Sequence, residues 1–239
     1  MQAKLKRKLL DFATEPYRST GNFNYRWARG KLKHDPIFAA LIKRSLLTDG
    51  ARILDLGCGR GLLAAWLLGA ERLAAQGHWR GSAAPPKGLL FRGIELMERE
   101  AVCGNRALQP LHGERVQLSG GDMREADLND TDVIAILDVL HYIPYAEQNR
   151  MLDKIRAALG TGGLFVTRVG NAGGGLRFAL SQLVDSCMSF AQGHRLPRMW
   201  CRPLGEWVAE LEARGFEVQA IPMSAGTPFA NFMLVARVA

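Results

Sequence analysis

Ile53-Leu54-Asp55-Leu56-Gly57-Cys58-Gly59-Arg60-Gly61 is an apolar run closed by alternating glycines, and Leu62-Leu63-Ala64-Ala65-Trp66 follows it. The pattern predicts a strand, a tight loop and a helix. Glycine lets such a loop turn sharply and come close to a ligand. The N–H groups of the new helix favour a carboxylate or phosphate at that point. A single glycine loop is a weak signal. Its weight comes from a series of acids downstream, each closing a predicted strand of its own.

Residues 89–95 read as the second strand, with Glu95 at its C-terminal end. A carboxylate there can accept hydrogen bonds from both hydroxyls of a ribose. Glu95 lies farther from the glycine loop than the usual ~20 residues, and residues 77–88, with Gly77, Gly81, Pro85, Pro86 and Gly88, read as a loop inserted before the strand. Residues 115–119 predict a third strand followed by Gly120-Gly121-Asp122-Met123, and residues 133–137 a fourth ending at Asp138. In an open parallel sheet the ligand crevice lies outside the carboxyl ends of the strands. Asp55, Glu95, Asp122 and Asp138 are all expected there. Acids also favour loops and helix N-termini for structural reasons alone; the ordered set is harder to explain that way than any one member.

Further along, Asp35-Pro36 and Pro144 are expected to open helices, the first burying Ile37, Phe38, Leu41, Ile42 and Leu46. Residues 164–169 predict a fifth strand and residues 204–214 a helix with Trp207, Val208 and Leu211 inward. Residues 216–221 and 231–236 close the chain as two strands near enough in sequence to pair antiparallel. Strands alternating with helices imply a doubly wound, seven-stranded, mostly parallel sheet covered on both faces, with an antiparallel last strand. A single domain over 1–239 is expected, with residues 1–34 and 170–203 outside its core. The first of these is a basic segment and candidate lid. The second is an inserted helical segment whose Met188, Phe190, Met199 and Trp200 are candidates to wall an apolar acceptor pocket.

At 239 residues the chain is long enough for a full core, and 48% apolar with 23% charged residues is ordinary for a globular protein. Cys58, Cys103, Cys187 and Cys201 show no C-x-x-C spacing, so neither a metal centre nor a disulfide framework is expected; reduced thiols fit the cytoplasm. The apolar run at Leu9-Leu10 meets Asp11 and Glu15 too soon for a signal peptide, and no stretch approaches the ~20 apolar residues of a membrane helix. The net charge is +8, and Lys4, Lys6, Arg7, Lys8, Arg18, Arg26, Arg29, Lys31 and Lys33 crowd the first residues. Such a patch suits nucleic acid, an anionic membrane or an acidic carrier protein, or is simply a solvated face. Leu5, Leu9 and Phe12 give it an apolar stripe, as for a helix docking on its own domain.

In Asp55-Leu56-Gly57-Cys58-Gly59-Arg60-Gly61, Glu95-Leu96, Gly121-Asp122-Met123 and Asp138-Val139-Leu140-His141, the chain resembles class I S-adenosylmethionine-dependent methyltransferases over about residues 51–239. The resemblance implies a Rossmann-like fold and S-adenosyl-L-methionine as cofactor. It places Asp55, Gly57 and Gly59 along the methionine part, Glu95 on the ribose, Leu96 and Met123 beside adenine, Asp122 on the adenine amino group and Asp138 near the sulfonium. A narrower likeness, in residues 17–21, 27–32 and 35–38, is to small bacterial methyltransferases associated with aryl polyene pigment pathways. It implies an aromatic acceptor carried on an acidic acyl carrier protein.

Methyl transfer is an in-line displacement, so placing the nucleophile is the main task. An oxygen or carbon acceptor also calls for a base, and His141, three residues beyond Asp138, is the candidate, with an ordinary pKa of about 6.5. Tyr17, Tyr25 and Tyr142 are candidates for the acceptor pocket, and His34, His78, His112 and His194 are expected on the surface. The dinucleotide fingerprint G-x-G-x-x-G would need glycine at Leu62, which weakens an NAD-dependent or purely nucleotide-binding alternative. Enzymes that methylate exocyclic amines of DNA and RNA resemble one another in an Asn/Asp-Pro-Pro-Tyr segment, where this chain has Asp138-Val139-Leu140-His141. An RNA substrate is therefore the alternative. A small apolar or aromatic acceptor is the expectation.

Overall fold

The computed structural model describes residues 2–81, 83–170, 199–223 and 231–239. Backbone packing falls into two units, Met1–Val133 and Ile134–Ala239. The first begins with α1 (Ala3–Thr14), a 3-10 helix (Glu15–Thr20), α2 (Asn22–His34) and α3 (Pro36–Lys43). It continues with β1 (Arg52–Leu56), α4 (Leu62–Ala75), β2 (Leu90–Glu95), α5 (Glu98–His112) and β3 (Val116–Gly120). The second runs through β4 (Val133–Leu137), α6 (Tyr145–Ala158), β5 (Leu164–Gly170), α7 (Leu204–Glu212), β6 (Phe216–Pro222) and β7 (Asn231–Val238).

All seven strands belong to one mixed sheet, as expected. Within the first unit the order is β3-β2-β1, both pairs parallel, with Asp55 opposite Gly93 and Glu95 opposite Gly120. Within the second it is β4-β5-β7-β6, with β7 antiparallel to both neighbours. The sequence accounts for these differences. β1, β4 and β5 are buried along almost their whole length, as strands covered on both faces must be. β3 alternates buried and exposed positions, as an edge strand does. Observed ends shift from expectation by a residue or two: β2 starts at Leu90, Arg115 lies in a 3-10 turn, and the last helix stops at Glu212.

The basic N-terminal segment is packed helix. A 12-residue helix is marginal alone in water; α1 is held because Leu5, Leu9, Leu10 and Ala13 are buried against α4. Phe12 departs from the expected stripe: it is half-buried, with the Arg72 guanidinium 5.4 Å from its ring. Asp35 caps α3 as its sequence predicts, accepting from the Ile37 N–H at 3.1 Å. Ile37, Phe38, Leu41 and Ile42 are buried, while Leu46 lies beyond the helix and is half-exposed.

Residues 171–198, most of the expected acceptor-pocket segment and including Met188, Phe190 and His194, lie outside the described residues. Its C-terminal exit is fixed by buried polar contacts. Gln148 of α6 donates to the Leu140, Ile143 and Trp200 carbonyls, and Arg202 donates to Gln148 Oε1 at 2.8 Å. Arg202 is 2% exposed and also reaches Asn149, the Tyr145 carbonyl, Glu206 and Glu210. Glu206 is about half exposed, so water can serve it when the partner is lost. Arg202→Met is therefore expected to cost about 1.5–3 kcal/mol, as for buried charge-assisted bonds, and Glu206→Gln under about 1 kcal/mol. Urea unfolding of both variants checks this. Equal small losses would show that Arg202 does not hold this corner.

Candidate active site

Three glycines with positive φ, Gly57 (78°), Gly59 (53°) and Gly61 (73°), carry the chain from β1 into α4. Few side chains tolerate that conformation, so the alternation of glycines is a backbone requirement. The loop is tied to β2: the Gly57 and Cys58 N–H groups both donate to the Ile94 carbonyl, at 2.8 and 3.2 Å. The Gly61 N–H closes the turn on the Cys58 carbonyl at 2.9 Å. Burial pushes the Cys58 thiol pKa up, with Asp55 and Glu95 adding to it, which makes the cysteine a packing residue.

Glu95 is brought directly to this loop. Its Oε2 accepts from the Gly59 N–H at 2.8 Å and its Oε1 from the Met97 N–H at 3.0 Å. A carboxylate has about four lone-pair positions, so each fixed oxygen retains one for a ligand hydroxyl. Asp55 differs. It is 6% exposed, no described residue donates a hydrogen bond to its carboxylate, and burial, with Glu95 adding, pushes its pKa up to about 7. A buried acid without donors is costly unless a ligand supplies a positive charge or a hydrogen bond. Asp55 and Glu95 therefore fit a group carrying both an ammonium and vicinal hydroxyls.

The Gly121 N–H donates to the Glu95 carbonyl at 2.9 Å, fixing the end of β3 beside that of β2. Just beyond it, Asp122 receives Arg124 Nε at 2.9–3.0 Å on both oxygens, and the Arg124 guanidinium and N–H hold its pKa below the usual carboxylate range. Sequence reasoning missed Arg124. Met123 is buried, whereas Leu96 is 75% exposed at the C-terminal end of β2.

In the second unit, Asp138 closes β4 with φ +62°, a left-handed conformation that aspartate adopts more readily than most residues. Its carboxylate is gripped by Arg168 of β5, through Nε to Oδ1 at 2.6 Å and Nη2 to Oδ2. Arg168 is 8% exposed. A lone arginine inside the apolar run of residues 164–169 is the sequence signal for this pair. His141 sits in a 3-10 turn (Leu140–Tyr142) with its ring 4.2 Å from that of Tyr142, and its carbonyl accepts from the Trp200 N–H at 2.8 Å.

The other expected residues divide. Tyr17 is fully buried, so it does not wall an open pocket as expected; Tyr25 is occupied by Arg18, 3.9 Å over its ring. His112 is half-buried rather than on the surface, and burial beside Arg72 lowers its pKa to about 4. A cleft of about 310 Å³ lined by Arg52, Leu90, Glu114 and Asp130 lies at the opposite ends of β1 and β2 from the glycine loop.

A family model described as "Methyltransferase domain" matches residues 26–221. The chain belongs to that methyltransferase family. It is an S-adenosylmethionine-dependent enzyme with the α/β fold of the class. The carboxy-S-adenosyl-L-methionine synthase of Chromohalobacter salexigens is 27% identical over 127 residues, 53% of this chain. The match spans 42% of that relative's length. Among solved structures, magnesium protoporphyrin IX methyltransferase from Synechocystis PCC 6803 with bound S-adenosylhomocysteine aligns at TM-score 0.61 and 18% identity, covering 91% of this chain and 88% of that one. An O-methyltransferase family protein from Burkholderia thailandensis aligns at 0.62 and 13% identity, covering 93% and 62%. At these identities the structural likeness shows the fold. No helix among the described residues is long and apolar enough to cross a membrane.

Asp55 gives a pH prediction for the methyltransferase without ligand. Its folded pKa of about 7 exceeds the ordinary 3.8, so the folded state binds the extra proton between those values. Stability contributed by this group is complete below about pH 4 and is lost as pH rises through 7. Wild-type stability minus that of Asp55→Asn should therefore fall across this window when unfolding is measured by urea titration. Parallel curves would return Asp55 to an ordinary carboxylate.

Proposed function

We propose that this methyltransferase acts on a small apolar or aromatic molecule, methylating oxygen or carbon, and that His141 takes the acceptor's proton. The observation that carries this is the end of β4. Both oxygens of Asp138 are taken up there by the Arg168 guanidinium. His141 lies at the same strand end, and histidine is the side chain best suited to general-base work near neutral pH. The Asp138-Val139-Leu140-His141 sequence also lacks the Pro-Pro-Tyr segment associated with exocyclic amines. The name of one structural neighbour, a magnesium protoporphyrin IX methyltransferase, supports a small-molecule acceptor.

When bound, S-adenosylmethionine supplies a methyl carbon on a positively charged sulfur. Asp55 would take the ammonium of its methionine part, with Gly57 and Gly59 alongside. Glu95 would accept both ribose hydroxyls through the lone pairs left by Gly59 and Met97. Leu96 and Met123 would lie against adenine and Asp122 would take its amino group; the exposed leucine supports this because a flat apolar surface would cover it. Asp138, held by Arg168, would lie near the sulfonium. His141 would then remove the acceptor proton as the new bond forms.

Delivery on an acidic acyl carrier protein belongs to the same proposal. Its support is charge: Lys4, Arg7 and Lys8 are exposed on α1, and Lys4, Lys8, His78 and Arg80 line one cleft of about 190 Å³. Reversing Lys4 and Lys8 to glutamate should lower kcat/KM for a carrier-bound acceptor while sparing the free acceptor. Equal loss on both would make the face structural. His141→Gln should lower kcat by about 10²–10⁴-fold with little change in cofactor affinity. An unchanged kcat would leave positioning alone to carry the reaction.

A further inference from the structure

We propose that residues 15–34 form a clasp on the glycine loop, in which Tyr17 and Arg60 act as positioning residues for S-adenosylmethionine. Arg60 is the one large side chain between Gly59 and Gly61. Its guanidinium is held on three sides: Nε donates to Glu100 Oε2 at 2.5 Å, Nη1 to Asn24 Oδ1 at 2.6 Å, and its carbon lies 4.6 Å over the Trp27 ring. Asn24 is itself fixed, donating to the Thr20 carbonyl at 2.7 Å. The arginine side chain is 13% exposed, so these contacts are mostly out of water.

The main chain of the same residue is held as well. The Tyr17 hydroxyl donates to the Arg60 carbonyl at 2.7 Å, and Tyr17 is fully buried. Burial raises the phenol pKa well above its ordinary value, so the hydroxyl remains a donor throughout the working range. Gly104 of α5 lets that carbonyl lie close: a Cβ there would stand 2.7 Å from it. The Arg60 carbonyl shares its peptide plane with the Gly61 N–H, which closes the turn on Cys58. Fixing one end of that plane fixes the other, and with it the Gly59 N–H that reaches Glu95.

A loop with three positive-φ glycines has many alternative conformations when released. Ligand affinity scales with the fraction of molecules already in the competent form. The N-terminal segment supplies this pre-organisation from outside the sheet. It therefore acts on cofactor affinity while touching no reacting atom. This inference rests on the glycine loop and Glu95 being the cofactor site.

The test is calorimetric binding of S-adenosylmethionine to wild type, Tyr17→Phe, Arg60→Lys and Asp11→Asn, well below their melting temperatures. Asp11→Asn breaks the 2.7 Å ion pair that ties α1 to Arg29 of the clasp, a contact that involves no residue of the glycine loop. Tyr17→Phe and Arg60→Lys should each weaken binding about tenfold, equivalent to about 1.4 kcal/mol, and raise the cofactor KM equally, with kcat unchanged. Amide exchange at Gly59 and Gly61 should quicken in both, and Asp11→Asn should match wild type in every readout. Arg60→Lys carries the test if Tyr17→Phe does not fold. Binding within twofold of wild type in the folded variants, or an equal loss in Asp11→Asn, would overturn the clasp and leave the site intact. No binding to wild type would overturn both.

Discussion

The hydrogen bond from the Gly59 N–H to Glu95 Oε2 is the point at which the glycine loop and the second strand constrain one another. It requires Gly59 to hold a positive φ and β2 to end level with the loop. It also requires the glutamate to remain buried. The parallel register that sets Leu56 opposite Ile94 delivers these conditions together. Because Ile94 also accepts from Gly57 and Cys58, the loop is fixed to one strand over three consecutive amides. A ligand entering there meets a preformed surface, which reduces the ordering cost of binding.

Four strand-end acids look alike in sequence and differ in environment. Asp122 is matched by Arg124 and Asp138 by Arg168. Glu95 is held by two backbone amides that leave room for further donors. Asp55 is buried with no donor among the described residues, and its pKa rises to about 7. Environment thus divides four strand-end carboxylates into one held by backbone amides, one buried with no donor among the described residues, and two paired with arginines.

The sheet was legible because its strands are short apolar runs ended by acids and glycines, and β4 matched the expected residues 133–137 throughout. The antiparallel closing pair followed from the short spacing of its strands. Contacts that depend on residues distant in sequence were not legible. Arg60 reads as a loop filler until Asn24, Trp27 and Glu100 converge on it, and Tyr17 reads as a pocket residue until its hydroxyl meets the Arg60 carbonyl. The charge of residues 1–34 suggested a partner surface, whereas the buried side of α1 shows how the segment is held. Arg168 stands out in sequence as one charge in an apolar strand, but that its partner is Asp138 is seen only in the structure.

The measurement that bears most directly on this account is a crystal structure with S-adenosylhomocysteine bound. The predicted result has both ribose hydroxyls within about 3 Å of the Glu95 oxygens, the amino-acid end against Asp55 and the glycine loop, and adenine over Leu96. A nucleoside bound elsewhere, with Glu95 still bonded only to Gly59 and Met97, would contradict it.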